Sequence, residues 1–264
     1  MKKIIALVLA ALVLVMTFAF AGCGEKETTP EGDIAAIKAN GKLVVGITDF
    51  KPMDYNDADG NWIGFDADMA KEFAKTLGVE AEFKIIDWDN KVLELENKSV
   101  DCIWNGMTLD DEVKAAMDCS NAYCNNAQVI IVKKEVADKY ATAEACKDLS
   151  FAVENGSAGK KMAEANGFKF TEVVDQATAL LEVKNGSCDA AIIDSLMAGA
   201  MVGEGTSYSD LTYTAGLNSE EYGVGFRKGS DLVAEMNKFF EAAKADGSME
   251  KIAETYGVQA ALIK

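Results

Sequence analysis

The sequence predicts an α/β protein built as two lobes with a ligand cleft between them, and three observations predict it. Strand-length apolar runs alternate with helical periodicity, the alternation falls into two successive sets, and the chain returns after the second set with one more strand and two helices. Strands alternating with helices imply parallel sheets covered on both faces. A crevice between two such lobes is the default place for a small ligand.

The N-terminus comes first and stands apart. Lys2 and Lys3 precede seventeen uncharged, mostly apolar residues from Ile4 to Phe20, and Ala21-Gly22-Cys23 follow. A positive start, an apolar stretch and small residues make a secretory signal, here residues 1–22, cut before Cys23. Residues 23–32 read as a polar tether, because their Gly, Glu, Lys, Thr and Pro bury little apolar surface. Roughly 240 residues remain, enough for one large domain or for two lobes that each bury a core.

In the first set, Leu43-Val44-Val45-Gly46-Ile47 is a strand, and Asp54 to Asn61 is rich in turn residues. Phe65, Met69, Phe73 and Leu77 recur every fourth residue, giving one apolar face to a helix that stops at Gly78. Val79–Ile86 reads as strand, Asp89–Lys98 as helix, Val100–Trp104 as strand, Asp110–Met117 as helix and Gln128–Val132 as strand. In the second set, Leu149–Val153, Phe168–Val174 and Ala190–Ile193 are strands, and Ser157–Asn166 and Gln176–Lys184 are helices. The return is a strand at Tyr222–Arg227 and helices at Leu232–Ala245 and Met249–Tyr256.

Composition narrows the function. The formal charge of −17 becomes −19 once Lys2 and Lys3 leave with the signal, and so acidic a chain is repelled by polyphosphate, which excludes nucleic acid as a partner. There is no histidine and no CxxC pair, which argues against a metal site, and no cofactor is expected. With Cys23 set aside, Cys102, Cys119, Cys124, Cys146 and Cys188 are an odd number, so at least one is free unless it pairs between chains. Most of them adjoin apolar strand-like runs, where a reduced cysteine packs as a small hydrophobe, and buried thiols are preferred over two disulfides.

Two positions suggest a site on physical grounds. Gly156-Ser157 follows a strand and opens a helix, so free backbone N–H groups there suit an anion; a plain serine cap is the competing reading. Asp194 ends an apolar strand, where open parallel sheets place their ligand crevices, and it competes with a role as cap of a helix over Ser195–Met201.

Gly41-Lys42-Leu43-Val44-Val45-Gly46, Gly64-Phe65-Asp66, Asn105-Gly106-Met107-Thr108, Asn155-Gly156-Ser157, Cys188 to Asp194, Tyr222-Gly223-Val224-Gly225 and Lys244-Ala245-Asp246-Gly247 occur in this order over Gly41–Gly257. In order and spacing they resemble the bacterial extracellular solute-binding proteins, family 3, the amino-acid-type binding proteins of ABC importers. The resemblance implies a periplasmic-binding fold of the second type, with two hinge-crossing strands and the ligand between the lobes. One lobe would comprise residues 33–125 with 223–264 and the other 126–222, the chain crossing near Cys124–Gln128 and Glu220–Val224. The Ala-Gly-Cys segment is similar to a lipobox, although Phe20 stands where an aliphatic residue is usual. It implies lipidation of Cys23, anchoring to the outer face of the cell membrane, and permease subunits of the importer as partners of a monomer.

For the site, the resemblance implies that Asp194 pairs with the α-ammonium of an amino acid or related amine. It implies that Ser157 and Ala158 supply a hydroxyl and N–H groups, and Asn105, Gly106 and Thr108 carbonyl and hydroxyl partners. Phe50 takes the place of a stacking aromatic, with a core role as its alternative, and Trp104 either lines the pocket or faces the core. One departure stands out. Where the family carries an arginine that clamps the ligand carboxylate, this chain has Val113, and its only arginine is Arg227, outside the site. Either Lys51 or Lys114 supplies a point charge, or N–H groups and hydroxyls hold the carboxylate, or the ligand has none there. Two other functions compete: an enzyme on the same fold, resembling cyclohexadienyl dehydratases, and a ligand sensor without transport.

Overall fold

A computed structural model of the chain describes residues 32–264, and every structural statement below concerns these residues. The expected signal, the expected lipid attachment at Cys23 and nearly all of the expected tether lie outside them. The elements run, in order, as helix α1 (Asp33–Asn40), strands β1 (Lys42–Ile47), β2 (Tyr55–Asn56) and β3 (Trp62–Ile63), helix α2 (Phe65–Leu77), β4 (Glu80–Ile85), α3 (Lys91–Glu96), β5 (Cys102–Thr108), α4 (Asp111–Ala116), β6 (Asp118–Cys119), β7 (Cys124–Asn126) and β8 (Gln128–Lys133). They continue with β9 (Ser150–Glu154), α5 (Ala158–Asn166), β10 (Lys169–Val173), α6 (Gln176–Asn185), β11 (Ala190–Asp194), α7 (Ser195–Met201), β12 (Leu211–Gly216), β13 (Glu220–Phe226), α8 (Leu232–Ala245) and α9 (Ser248–Tyr256).

Two sheets organise the fold. One has the order β4-β1-β5-β13-β6, with β7 also pairing β13, and the other has the order β10-β9-β11-β8-β12. The chain passes between them twice, from β7 to β8 and from β12 to β13. The sheets are mixed rather than wholly parallel: β1 runs parallel to β4 and β5, but β13 is antiparallel to β5, and β8 is antiparallel to both β11 and β12. Each reversed strand adjoins a crossing, where the chain enters the neighbouring sheet through a short connection instead of a crossover helix. The helix periodicity of α2 is met residue for residue, with Phe65, Met69, Phe73 and Leu77 buried and Gly78 closing the helix in the left-handed conformation. The sequence pattern had not signalled α1, β12 or the short β2–β3 and β6–β7 pieces.

The first sheet's core is aromatic. Trp104 is fully buried, its ring 5.6 Å from Phe240 and 6.4 Å from both Phe73 and Tyr123. The five cysteines are free thiols; four are buried and Cys119 is half-buried. None of the described helices is long and apolar enough to cross a membrane, and no cluster of metal-ligating side chains occurs among the described residues.

Candidate functional site

The ends of β5, β9 and β11 and the starts of α4, α5 and α6 converge on one cleft between the two sheets. The cavity it encloses measures only about 30 Å³, so the two walls are nearly in contact. Away from the passages between the sheets, three polar contacts join them. Lys161 Nζ of α5 lies 2.7 Å from Asp110 Oδ2 and 2.6 Å from Glu112 Oε2, and Lys91 Nζ of α3 donates to the Gly156 carbonyl at 3.0 Å. At Gly156 an added Cβ would come within 2.7 Å of the Asp89 backbone across the cleft.

The wall supplied by the first sheet is held by buried polar pairs. Asn105 accepts from the Thr48 hydroxyl at 2.7 Å and donates to Asp54 Oδ2 at 2.8 Å, so its side chain is committed within its own wall. Gly106 donates its N–H to Asp66 Oδ2 at 2.7 Å, and Tyr123 donates to the same carboxylate. Gly106 has φ +56°, and a Cβ there would lie 2.2 Å from Phe50 Cε1, so the Phe50 ring sits where only glycine leaves room. Phe50 is buried, lines the cleft and meets Tyr222 edge to face at 6.4 Å. Thr108 donates its hydroxyl to Glu220 Oε1 at 3.0 Å.

The wall supplied by the second sheet is acidic. Asp194 is buried at the end of β11, where Oδ1 accepts from Gln128 Nε2 at 2.9 Å, Tyr222 OH at 2.6 Å and Asn126 Nδ2. Oδ2 accepts from Gln176 Nε2 alone, leaving it one lone pair for a ligand. Burial first, and then the charge of Glu220, pushes Asp194 up to about 7. Ser157 caps α5: its hydroxyl donates to the Glu154 carbonyl at 2.7 Å and accepts from Lys160 N at 3.2 Å. The cap leaves the first N–H groups of α5, beginning at Ala158, without intrahelical partners at the cleft.

Of the residues proposed from sequence, Phe50, Asn105, Gly106, Thr108, Ser157, Ala158 and Asp194 line this cleft together. Trp104 does not. Strand alternation turns it to the opposite face of β5, into the aromatic core. Val113 does face the cleft, at the expected place of the missing arginine. Lys51 and Lys114 are not among the lining residues; the two lysines that are, Lys91 and Lys161, were not anticipated. Burial, followed by the charge of Lys161, lowers the pKa of Lys91. Arg227 is bound elsewhere, 2.8 Å from Asp33 and donating to the Val100 carbonyl at 2.7 Å.

Glu154 and Gln176 were missed as well. Glu154 ends the apolar run Phe151-Ala152-Val153 just as Asp194 ends β11, so the same strand-end rule would have found it. Gln176 follows the helix cap Asp175 and carries no sequence signal of its own.

Fold and cleft together define a two-lobed α/β protein of the solute-binding class, with a polar cleft between its sheets. The profile of the bacterial extracellular solute-binding proteins, family 3, matches residues 43–259, and the chain belongs to that family. It is 31% identical to the arginine-binding extracellular protein ArtP of Bacillus subtilis (strain 168) over 96% of either chain. It is 30% identical to the L-cystine-binding protein TcyJ of Escherichia coli (strain K12), over 93% of this chain and 94% of that one. A substrate-binding protein of an ABC uptake transporter from Streptococcus pneumoniae, solved with bound histidine, superposes with a TM-score of 0.81 at 28% identity, covering 89% of this chain and all of that one.

Proposed function

We propose that this protein captures an amine-bearing, amino-acid-like solute outside the cell and delivers it to the permease of an ABC importer. The observation that carries the reading is Asp194, a buried carboxylate that lines the cleft and keeps a lone pair on Oδ2. An ammonium there makes a charge-assisted hydrogen bond in a desolvated site. The ligand carboxylate is met by the N–H groups that open α5, since Val113 provides no guanidinium and both cleft lysines already have partners. The relatives named above are binding proteins for arginine and cystine, which supports solute binding rather than turnover. The lobes are divided as residues 33–125 with 223–264 and 126–222, and Cys23 carries the lipid that tethers a monomer to the membrane.

A thermal-shift screen of the standard amino acids, their amides and decarboxylated amines tests the reading, because a ligand of the folded state raises Tm by mass action. Amines should rank first, and Asp194→Ala should weaken their binding by about 2–5 kcal/mol, the range for a broken buried charge pair. A sugar, a metal ion or an amine-free acid as the strongest ligand would overturn it.

A further inference from the structure

The second acid of the cleft is not explained by one ammonium on Asp194. Glu154 is 3% exposed, lines the cleft, and its Oε1 has no hydrogen-bond partner among the described residues. Its Oε2 lies 3.5 Å from Gln176 Nε2, the same nitrogen that donates to Asp194 Oδ2, so the two carboxylates stand one amide apart. A buried carboxylate oxygen with nothing to accept from is costly, and such groups are retained where a ligand completes them.

The charged surroundings are mainly acidic. Asp194 of β11 and Asp175 at the start of α6 both act on Glu154, and Asp49, which follows β1 and lines the cleft, feels Asp175. The cation acting on Glu154 is Lys91, whose ammonium is held by the carbonyls of Trp88 and Gly156 at 3.1 and 3.0 Å. Lys161 is taken by Asp110 and Glu112. No lysine of the cleft therefore bonds to Glu154: Lys91 acts on it only through space, and Glu154 Oε1 is left without a donor.

We propose that Glu154 is a specificity-determining residue, and that the site selects solutes carrying two cationic nitrogen groups, one on Asp194 Oδ2 and a second on Glu154 Oε1. This rests on the amine-binding reading above and names its substrate class. A ligand with a single ammonium leaves Oε1 buried and unpaired, so a neutral amino acid binds with a desolvated acceptor still unsatisfied. Burial, reinforced by the charge of Asp194, raises Glu154 well above the usual carboxylate range, so a cation arriving at Oε1 competes with a proton.

The test is calorimetric titration of the full soluble chain with L-ornithine, L-lysine and L-arginine against L-norvaline, L-norleucine and L-glutamine. The tightest cationic member should bind at least about tenfold more tightly than its neutral counterpart, the least a charged hydrogen bond contributes. That ratio should widen as pH rises from about 5.5 to 8, with protons released on binding of the cation. Glu154→Gln, nearly the same shape, should bring the ratio close to one and abolish its pH dependence while neutral amino acids still bind. A wild type that prefers the neutral members, or a Glu154→Gln variant that weakens both classes by one factor, overturns the proposal. Binding of no amine at all would instead defeat the amine-binding reading, whereas equal, tight binding of both classes defeats only the role of Glu154. The wild-type ratio and its pH dependence decide the question even if the variant does not fold.

Discussion

Lys161→Met removes the ion pair that joins the two walls while keeping an apolar stem of similar length. The pair with Asp110 is 2.7 Å long with side chains 35% and 29% exposed; the pair with Glu112 is 2.6 Å long, but Glu112 is 79% exposed. Exposed pairs contribute about 0.2–1 kcal/mol, and water and salt screen the Glu112 contact so strongly that only the Asp110 pair should count. If the two lobes open and close about the passages between the sheets, losing up to about 1 kcal/mol lowers the ratio of closed to open molecules by at most roughly fivefold. The apparent affinity falls by the same factor if the ligand-free protein is mostly open, because only the closed form binds fully. Two measurements check this: titration calorimetry in about 50 mM and 500 mM salt, and small-angle scattering without ligand. We expect Kd to rise two- to fivefold in low salt and less in high salt, with an unchanged or larger radius of gyration. A loss beyond about tenfold, insensitive to salt, would refute the latch and make Lys161 a direct ligand contact. An unchanged Kd and an unchanged radius would refute it as well.

Gly106→Ala should destabilise the protein by about 1–3 kcal/mol or more in urea melts, since a non-glycine residue at φ +56° is strained and its Cβ meets Phe50 at 2.2 Å; full stability would contradict the packing described here. Burial pushes Asp66 and Asp194 up to about 7 from an ordinary 3.8, so their contribution to ligand-free stability is present below the lower value and lost as pH rises through the higher. The ligand-free Tm should accordingly fall between about pH 5 and 7.5, and a flat or rising Tm would show that these acids are not desolvated as described. Cys23→Ala should release the chain from the membrane fraction if lipid is its anchor, and retention after correct signal cleavage would count against lipidation.

What was legible in the sequence followed from period and punctuation. The fourfold spacing of Phe65, Met69, Phe73 and Leu77 and the stop at Gly78 describe α2 without correction. Asp194 was legible because a charged residue closing an apolar strand is conspicuous, and Glu154 carries the same mark. The direction of β8, β12 and β13 was not legible, because parallel and antiparallel strands share one side-chain period, and only the route of the chain distinguishes them. The lysines of the cleft were not legible either. Lys91 and Lys161 lie in ordinary polar helix stretches, and what matters about them is a partner from the opposite wall, which no local pattern encodes.

The hydrogen bonds around Asp194 reach both passages between the sheets. Three of its four donors stand beside the two passages between the sheets: Asn126 closes β7, Gln128 opens β8 and Tyr222 lies in β13. Glu220, which opens β13, accepts from the same two amides, from Asn126 at 2.7 Å and from Gln128 at 2.8 Å. These amides are thus shared between the acid of the binding cleft and the acid at the start of the returning strand. A cation that takes the lone pair on Asp194 Oδ2 also offsets the repulsion of Glu220 that helps to raise the Asp194 pKa. Only a ligand with different contacts in the open and closed forms can shift their populations, and a ligand held by Asp194 would make those contacts beside the two passages. If Asp194 binds the ligand and the lobes turn about these passages, a ligand that brings no cation to Asp194 leaves its repulsion with Glu220 intact and should close the cleft less completely than a cation of the same shape.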